Sequence, residues 1–225
     1  MEIFERLSAK FVTFEGIDGS GKSTLLNELA SWLEEQAIPF IRTREPGGTR
    51  LGERLREILL DPSFESMNHQ AEVMLYSASR AQLVHEIILP ALSRGTWVLA
   101  DRYADATLAY QGFGRGLELE ALRRIQDWGT GGLWPHLTVL LDCNVEVASR
   151  RMRGRRAKED RIEQESRAFH QQVREGYLAL ARSAPERFLV MDGNRELQEV
   201  VASFRKSFRE ALRLSNSGGF YTRLG

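Results

Sequence analysis

One stretch of eight residues constrains this chain more than any other: Gly16-Ile17-Asp18-Gly19-Ser20-Gly21-Lys22-Ser23. It satisfies G-x-x-x-x-G-K-[ST] in full. Just before it lies an apolar, β-prone run, Lys10 to Glu15 (KFVTFE). Just after it, from Lys22 to Gln36, Leu25, Leu26, Leu29, Trp32 and Leu33 recur at helical spacing. A glycine-rich turn between a strand and a helix lets backbone N–H groups wrap phosphate oxygens, and the helix N-terminus adds its dipole. Gly16 to Ser23, with Thr24 behind, therefore form the expected ATP-binding loop. Lys22 reaches the β and γ phosphates, and Ser23 is a candidate Mg²⁺ ligand.

The same alternation continues along the chain. Strands are expected at Phe40–Arg44, Thr96–Ala100, Leu137–Leu141 and Phe188–Met191. Helices are expected at Thr49–Leu60, Gln70–Leu92 with a break near Pro90, and about Glu196 to Leu214. Short apolar strands alternating with helices imply a parallel sheet covered on both faces, and right-handed crossovers make it a doubly wound α/β domain. Residues 1–214 read as one domain and 215–225 as a flexible tail.

Composition narrows the function classes. Lys and Arg number 31 and Asp and Glu 31, a balance that argues against a general nucleic-acid binder. The longest unbroken apolar run, Tyr177 to Ala181, is five residues, against about 20 for a membrane span. Residues 1–10 carry Glu2, Glu5 and Arg6 and no apolar signal core. Cys143 is the single cysteine, so no internal disulfide can form. A cytoplasmic protein is expected. His69, His85, His136 and His170 show no ligand spacing. The Asn-Lys-x-Asp signature of GTPases is absent, which favours a small-molecule kinase.

Four further features follow in order: Thr43-Arg44-Glu45-Pro46-Gly47-Gly48-Thr49 after the second strand, Tyr76-Ser77-Ala78-Ser79-Arg80 in the long helical stretch, Asp101-Arg102-Tyr103 after the third strand, and an arginine-rich segment ending in Asp160-Arg161-Ile162-Glu163. In these motifs the chain resembles the thymidylate kinases over roughly residues 8–212. The phosphate loop is common to many families, whereas TREPGGT together with DRY and DRIE is specific. The resemblance implies a P-loop nucleoside monophosphate kinase fold, with a five-stranded parallel sheet flanked by helices and a short lid at about 150–161. It further implies a homodimer that transfers the γ-phosphate of ATP to dTMP with Mg²⁺, in dTTP biosynthesis, with no nucleic-acid or membrane partner.

Roles for individual residues come from that resemblance, and each is compatible with residue chemistry. Arg44, at the end of a parallel strand, would hold the dTMP phosphate, since a planar guanidinium suits a bidentate phosphate contact. Asp101, also ending a strand, would serve the metal together with Ser23, and Arg102 would contact the acceptor phosphate or bridge both phosphates. Asp142 ends a strand too but carries no motif and reads as structural. Tyr76, where the family more often has Phe, would stack on thymine. Arg80, four residues on and on the same helix face, would donate to O4 of the base. Thr107, Tyr110 and Gln111 would lie beside base and sugar, with Tyr110 where a 2′-hydroxyl would otherwise sit. Asp18 would face the sugar 3′-hydroxyl or the metal, Glu163 the acceptor sugar, and Glu15 would support the loop. The loop contains no arginine, while Arg150, Arg151, Arg153, Arg155, Arg156, Lys158 and Arg161 crowd the lid. This matches the version of the family whose lid supplies the catalytic arginine, with Arg156 first and Arg153 second.

Two rivals keep a foothold. Another nucleotide or nucleoside kinase of this fold would share the loop, but a nucleoside kinase would need a carboxylate base for a neutral hydroxyl and no Arg44. A nucleic-acid-binding regulatory protein would use the basic segment, and zero net charge weighs against it.

Overall fold

The computed structural model describes residues 10–153 and 160–217. Five strands, β1 Phe11–Glu15, β2 Phe40–Arg44, β3 Trp97–Asp101, β4 Leu137–Asp142 and β5 Phe188–Asp192, form one parallel sheet in the order β2-β3-β1-β4-β5. The chain leaves β1 toward one edge and β3 toward the other. A crevice therefore opens above their C-terminal ends, where ligands bind in such sheets. Register pairs Phe14 with Asp101 and Arg44 with Asp101, so the segments that follow β1, β2 and β3 start side by side.

Alternation along the strands sends side chains to two cores. Val12, Phe14, Trp97, Leu99, Val139 and Leu141 face α1 (Lys22–Glu35) and α9 (Leu197–Ser217), meeting Leu25, Leu29, Leu33, Phe204 and Phe208. Phe11, Val98 and Ala100 face the opposite side, against Leu83, Ile88 and Tyr103. On that side Leu140 packs with Val173 and Tyr177 of α8 (Arg167–Ser183). The other helices are α2 (Arg50–Leu60), α3 (His69–Leu83), α4 (Leu89–Ser93), α5 (Ala104–Thr107), α6 (Leu119–Thr130) and α7 (Val145–Arg153). Thr49 caps α2, its hydroxyl accepting from Gly52 N at 2.9 Å.

The elements named in the sequence reading are present with their types, α5, α6 and α8 come in addition to them, and bounds shift by a residue or so except in three places. The break expected near Pro90 falls earlier. A wide turn at Val84–Ile88 carries the chain from α3 into α4, and Pro90 sits within the first two positions of that new helix, where its missing N–H costs little. Residues Arg150 to Arg153, read as the start of a lid, finish helix α7, while 154–159 lie outside the described residues. The last helix runs on through Ser217, into the stretch read as tail, and 218–225 lie outside the described residues.

Below the crevice a polar chain ties strands to the segment after β3. Thr13 donates to Thr138 at 3.1 Å, Thr138 to Asp105 at 3.1 Å, and Arg187 grips Asp105 through two nitrogens at 2.6 and 2.8 Å. Asp105 opens α5, so this buried pair fixes the helix that follows Asp101-Arg102-Tyr103.

Phe204 is 2% exposed and meets Phe14 edge-on and Phe208 at a tilt, so it joins α9 to the sheet. Phe204→Ala is expected to cost about 3–5 kcal/mol. Thermal unfolding should show a midpoint lowered by roughly 10 °C, with the acceptor preference unchanged.

Candidate active site

The phosphate loop needs glycine where the chain doubles back. Gly16 has φ +133° and Gly19 φ +81°, and a Cβ at Gly19 would stand 2.4 Å from Ala148 O. The tight curl leaves Lys22 nearly buried, its Nζ 3.3 Å from Ile17 O and from an Asp18 carboxylate oxygen. Lys22, Ser23, Thr24, Gly19 and Gly21 line one cavity with Arg44, Asp101 and Arg102. The loop, the strand ends and the arginine pair thus meet as the sequence implied.

A second cavity adjoins it. Tyr76, Arg80, Thr107, Tyr110 and Gln111 line it, together with Asp160 and Ile162. Asp18, Glu45, Arg56 and Arg102 face both cavities and so stand between them. Arg56 was missed from the sequence, because an arginine in the charged face of α2 carries no local signal. Its guanidinium donates to Pro46 O at 2.9 Å, which turns it toward the crevice.

Arg102 is the hub. Its backbone is left-handed, φ +72°, a costly conformation for a residue with a Cβ. Its Nη1 donates to Gly16 O at 2.9 Å and to the Tyr177 hydroxyl at 3.2 Å. Its Nη2 meets Asp18 at 2.7 Å, and its plane lies 5.0 Å from the Tyr110 ring centre. Glu15 holds the following residue: one carboxylate oxygen accepts from Tyr103 N at 2.7 Å, the other from the Tyr177 hydroxyl at 2.7 Å. Glu15 thus supports the segment after β3 as much as the loop. Burial of Glu15 pushes its carboxyl up to about 8, with Arg102 opposing and Asp105 adding to the rise. The Asp18 carboxyl is partly exposed, and Arg102 and Lys22 hold it well below the usual carboxylate range.

Arg80 is placed at the cavity as expected, but in a different role from a free donor to a base. It is 1% exposed. Its Nε meets Glu45 at 2.7 Å, Nη1 donates to Thr107 at 3.0 Å and to Gln126, and Nη2 donates to Tyr103 O at 3.1 Å. Every nitrogen is engaged by protein, which makes Arg80 a brace that joins α3, α5 and α6. Thr107 serves that brace. Arg44 lies at the surface and pairs with Glu53 at 3.0 Å, not with its neighbour Glu45. Tyr110 is buried against Phe169 and Tyr177, its hydroxyl without a hydrogen-bond partner among the described residues. Asp142 is gripped by Arg174 at 2.5 and 2.9 Å, in keeping with a structural role.

The arginine segment divides. Arg151 donates to Gly193 O at 2.8 Å and to Ser20 O at 3.3 Å, tying α7 to the loop. Arg161 is buried, with Nε on Leu59 O at 2.9 Å and Nη2 2.6 Å from Glu72. Arg153 is exposed and lines a third cavity with Ile17, Asp18, Glu163 and His170. Glu163 therefore stands on the phosphate-loop side and not in the cavity of Tyr76. Arg156 lies outside the described residues.

The donor set for a divalent cation is hard oxygen. Ser23 and Asp101 face the cavity of Lys22, and no described residue donates a hydrogen bond to either side chain. Among the described residues no cluster of three or more His, Cys, Asp or Glu forms. One or two protein oxygens beside substrate phosphates is the arrangement Mg²⁺ takes in kinase sites, so the residues fit it.

Comparison with known proteins now decides the family. The family model described as thymidylate kinase matches residues 14–204. The chain belongs to the thymidylate kinase family. The thymidylate kinase of Carboxydothermus hydrogenoformans is 49% identical over 206 residues, which cover 92% of this chain and 99% of that one. That of Symbiobacterium thermophilum is 47% identical over 202 residues, 90% of this chain and 94% of the other. That of Kosmotoga olearia is 45% identical over 208 residues, 92% and 99%. Membership accounts for the five-stranded parallel fold and for a site built for two anionic nucleotides, ATP and dTMP. Among the described residues no helix is long and apolar enough to cross a membrane.

Glu15 gives a pH prediction. Its folded carboxyl titrates near 8 against an ordinary 4.5, so the folded state holds a proton the unfolded chain has lost. That contribution is complete below about pH 4.5 and is lost as pH rises through about 8. Thermal midpoints measured from about pH 5 to about pH 8 should fall more steeply for wild type than for Glu15→Gln; parallel curves would contradict it.

Proposed function

We propose that this enzyme phosphorylates dTMP to dTDP with ATP in dTTP biosynthesis, through the residues that meet at Arg102. The observation that carries the assignment is that Asp18 and Arg102 face both cavities. One cavity holds the phosphate-loop lysine and the other is walled by Tyr76 and Tyr110, so two nucleotides would meet end to end across this pair.

The acceptor is an anionic phosphate oxygen, its second pKa being about 6. No strong base is required, and catalysis rests on positioning and charge stabilisation. Gly16 to Thr24 wrap the ATP phosphates and Lys22 stands at the β and γ groups. Arg44 and Arg56 approach the acceptor phosphate from α2 and the end of β2, and Arg102 spans donor and acceptor. Tyr76 stacks on the base, Arg80 and Thr107 brace its rim, Gln111 meets its edge and Tyr110 closes the space beside C2′. Asp18 faces the sugar or the metal, and Glu163 approaches from the side of Arg153. Ser23 and Asp101 would hold Mg²⁺, which when bound neutralises charge on the phosphates. Arg153 and Arg156 complete the donor side in this reading, with 1–214 as one kinase domain.

The reading includes a homodimer and a cytoplasmic location. Leu51 and Ile58 on α2, Met74 on α3 and Trp128 on α6 are large apolar side chains left exposed, and α3 packs between α2 and α6. They support a second copy covering this face. Nucleotide substrates and a single buried cysteine fit the cytoplasm.

The test is a panel of nucleoside monophosphates with ATP and Mg²⁺, read as ADP formed. The expected order is dTMP, then dUMP, with dCMP and dAMP far behind; loss of the 5-methyl should cost only about 1–3 kcal/mol. A preference for dCMP or AMP would refute the assignment. Lys22→Ala should lower turnover by about 10²-fold or more in a folded protein. Arg153→Ala should lower kcat and kcat/KM together and leave nucleotide affinities nearly unchanged. An unchanged kcat would remove Arg153 from the donor side.

A further inference from the structure

Behind the wall of the Tyr76 cavity, Glu72 is fully buried on α3, one turn before Tyr76. Gln111 Nε2 donates to its Oε1 at 2.8 Å. Arg161 Nη2 stands 2.6 Å from its other oxygen, and two nitrogens of Arg115 lie at 3.4 Å. Burial opposes the charge on Glu72, but the Gln111 amide, Arg115 and Arg161 together hold its carboxyl below the usual range. An ionised carboxylate only accepts hydrogen bonds. The end of the Gln111 amide that faces it must therefore be the NH₂ end.

Gln111 lines the cavity and Glu72 does not. The amide nitrogen points out of the cavity, so the carbonyl oxygen is the end left for a ligand. No described residue donates to that oxygen. Arg80, on the same wall, has each of its nitrogens engaged by protein.

We infer that Glu72 is a specificity-determining positioning residue: by fixing the Gln111 amide it presents a lone acceptor at the base edge, which selects pyrimidines with an N3–H. Thymine and uracil carry that imide donor. Cytosine carries an acceptor at N3 and would leave both oxygen and nitrogen unpaired, the kind of mismatch that sites built on a hydrogen bond reject strongly. The inference rests on the acceptor-site reading above, and moves the main discrimination against cytosine from Arg80 to Gln111.

Three full-length variants test it, with kcat and KM measured for dTMP and dCMP and KM for ATP. In Glu72→Gln an amide faces an amide, so Gln111 can present either end. The dTMP-to-dCMP ratio of kcat/KM should fall at least about tenfold, in part by a gain for dCMP. Gln111→Met removes the acceptor at similar volume without touching the ion cluster. It should lower kcat/KM for dTMP by about tenfold or more, leave dCMP little changed and leave ATP KM unaltered. If Glu72→Gln does not fold, Glu72→Asp keeps the charge beside Arg115 and Arg161 but withdraws it from Gln111, and should compress the ratio in the same direction. A wild-type ratio in Gln111→Met, or in a folded Glu72 variant, overturns the inference. A wild type that does not phosphorylate dTMP overturns the acceptor-site reading instead.

Discussion

The buried carboxyl of Glu15 is the tie on which the site depends. It ends β1 at the mouth of the phosphate loop, accepts from the backbone of Tyr103 at 2.7 Å and from Tyr177 on α8 at 2.7 Å. Between these two bonds sits Arg102, whose left-handed backbone would relax without them. Tyr177 also receives Arg102 directly. One side chain thus ties the phosphate loop to the segment that carries Arg102. Arg187 and Asp105 lock the next turn from below. Local strain at Arg102 is held by long-range bonds, which fixes a cation between the two cavities.

Much of this was legible in the sequence, for definite reasons. The loop and its flanking elements are a contiguous pattern in which glycine, lysine and serine each answer a geometric or charge requirement. Strand ends could be read because β-prone apolar runs stop at Arg44, Asp101 and Asp142, and in a parallel sheet those ends share one edge. Glu15 and Glu45 stand in motifs the sequence shows and Glu72 carries no local signal, yet each is decided by a partner far along the chain. Glu15 meets Tyr177, 162 residues away; Glu45 meets Arg80, 35 away; and Glu72 meets Arg161. No periodicity encodes such pairings. The same limit explains Arg80: its type and helix face mark it as a cavity residue, but only the fold shows that Glu45, Thr107, Gln126 and Tyr103 already engage it. Arg151 and Arg161 looked alike in a basic run and prove to be braces at opposite ends of it.

These braces also explain an enzyme for two polyanions that carries no net charge. Five arginines around the site stand beside carboxylates: Arg102 with Asp18, Arg44 with Glu53, Arg80 with Glu45, Arg161 and Arg115 with Glu72. The pairs differ in burial, and burial separates their functions. Arg44 with Glu53 is exposed, where an ion pair is worth at most about 1 kcal/mol. It can open when a phosphate offers Arg44 a better bidentate partner. Arg80 with Glu45 is buried, where removing one charge would strand the other at a cost of about 3–5 kcal/mol. It stays closed and holds shape. Arg102 with Asp18 lies between these limits, part-buried and facing both cavities. In the proposed reading it is the pair whose partners would be exchanged for phosphate on one side and sugar on the other while the backbone remains fixed. In the proposed reading the division of labour follows from solvent exposure: outer arginines would recruit the phosphate, inner ones would set the outline of the base pocket, and the one at the boundary would join the two substrates.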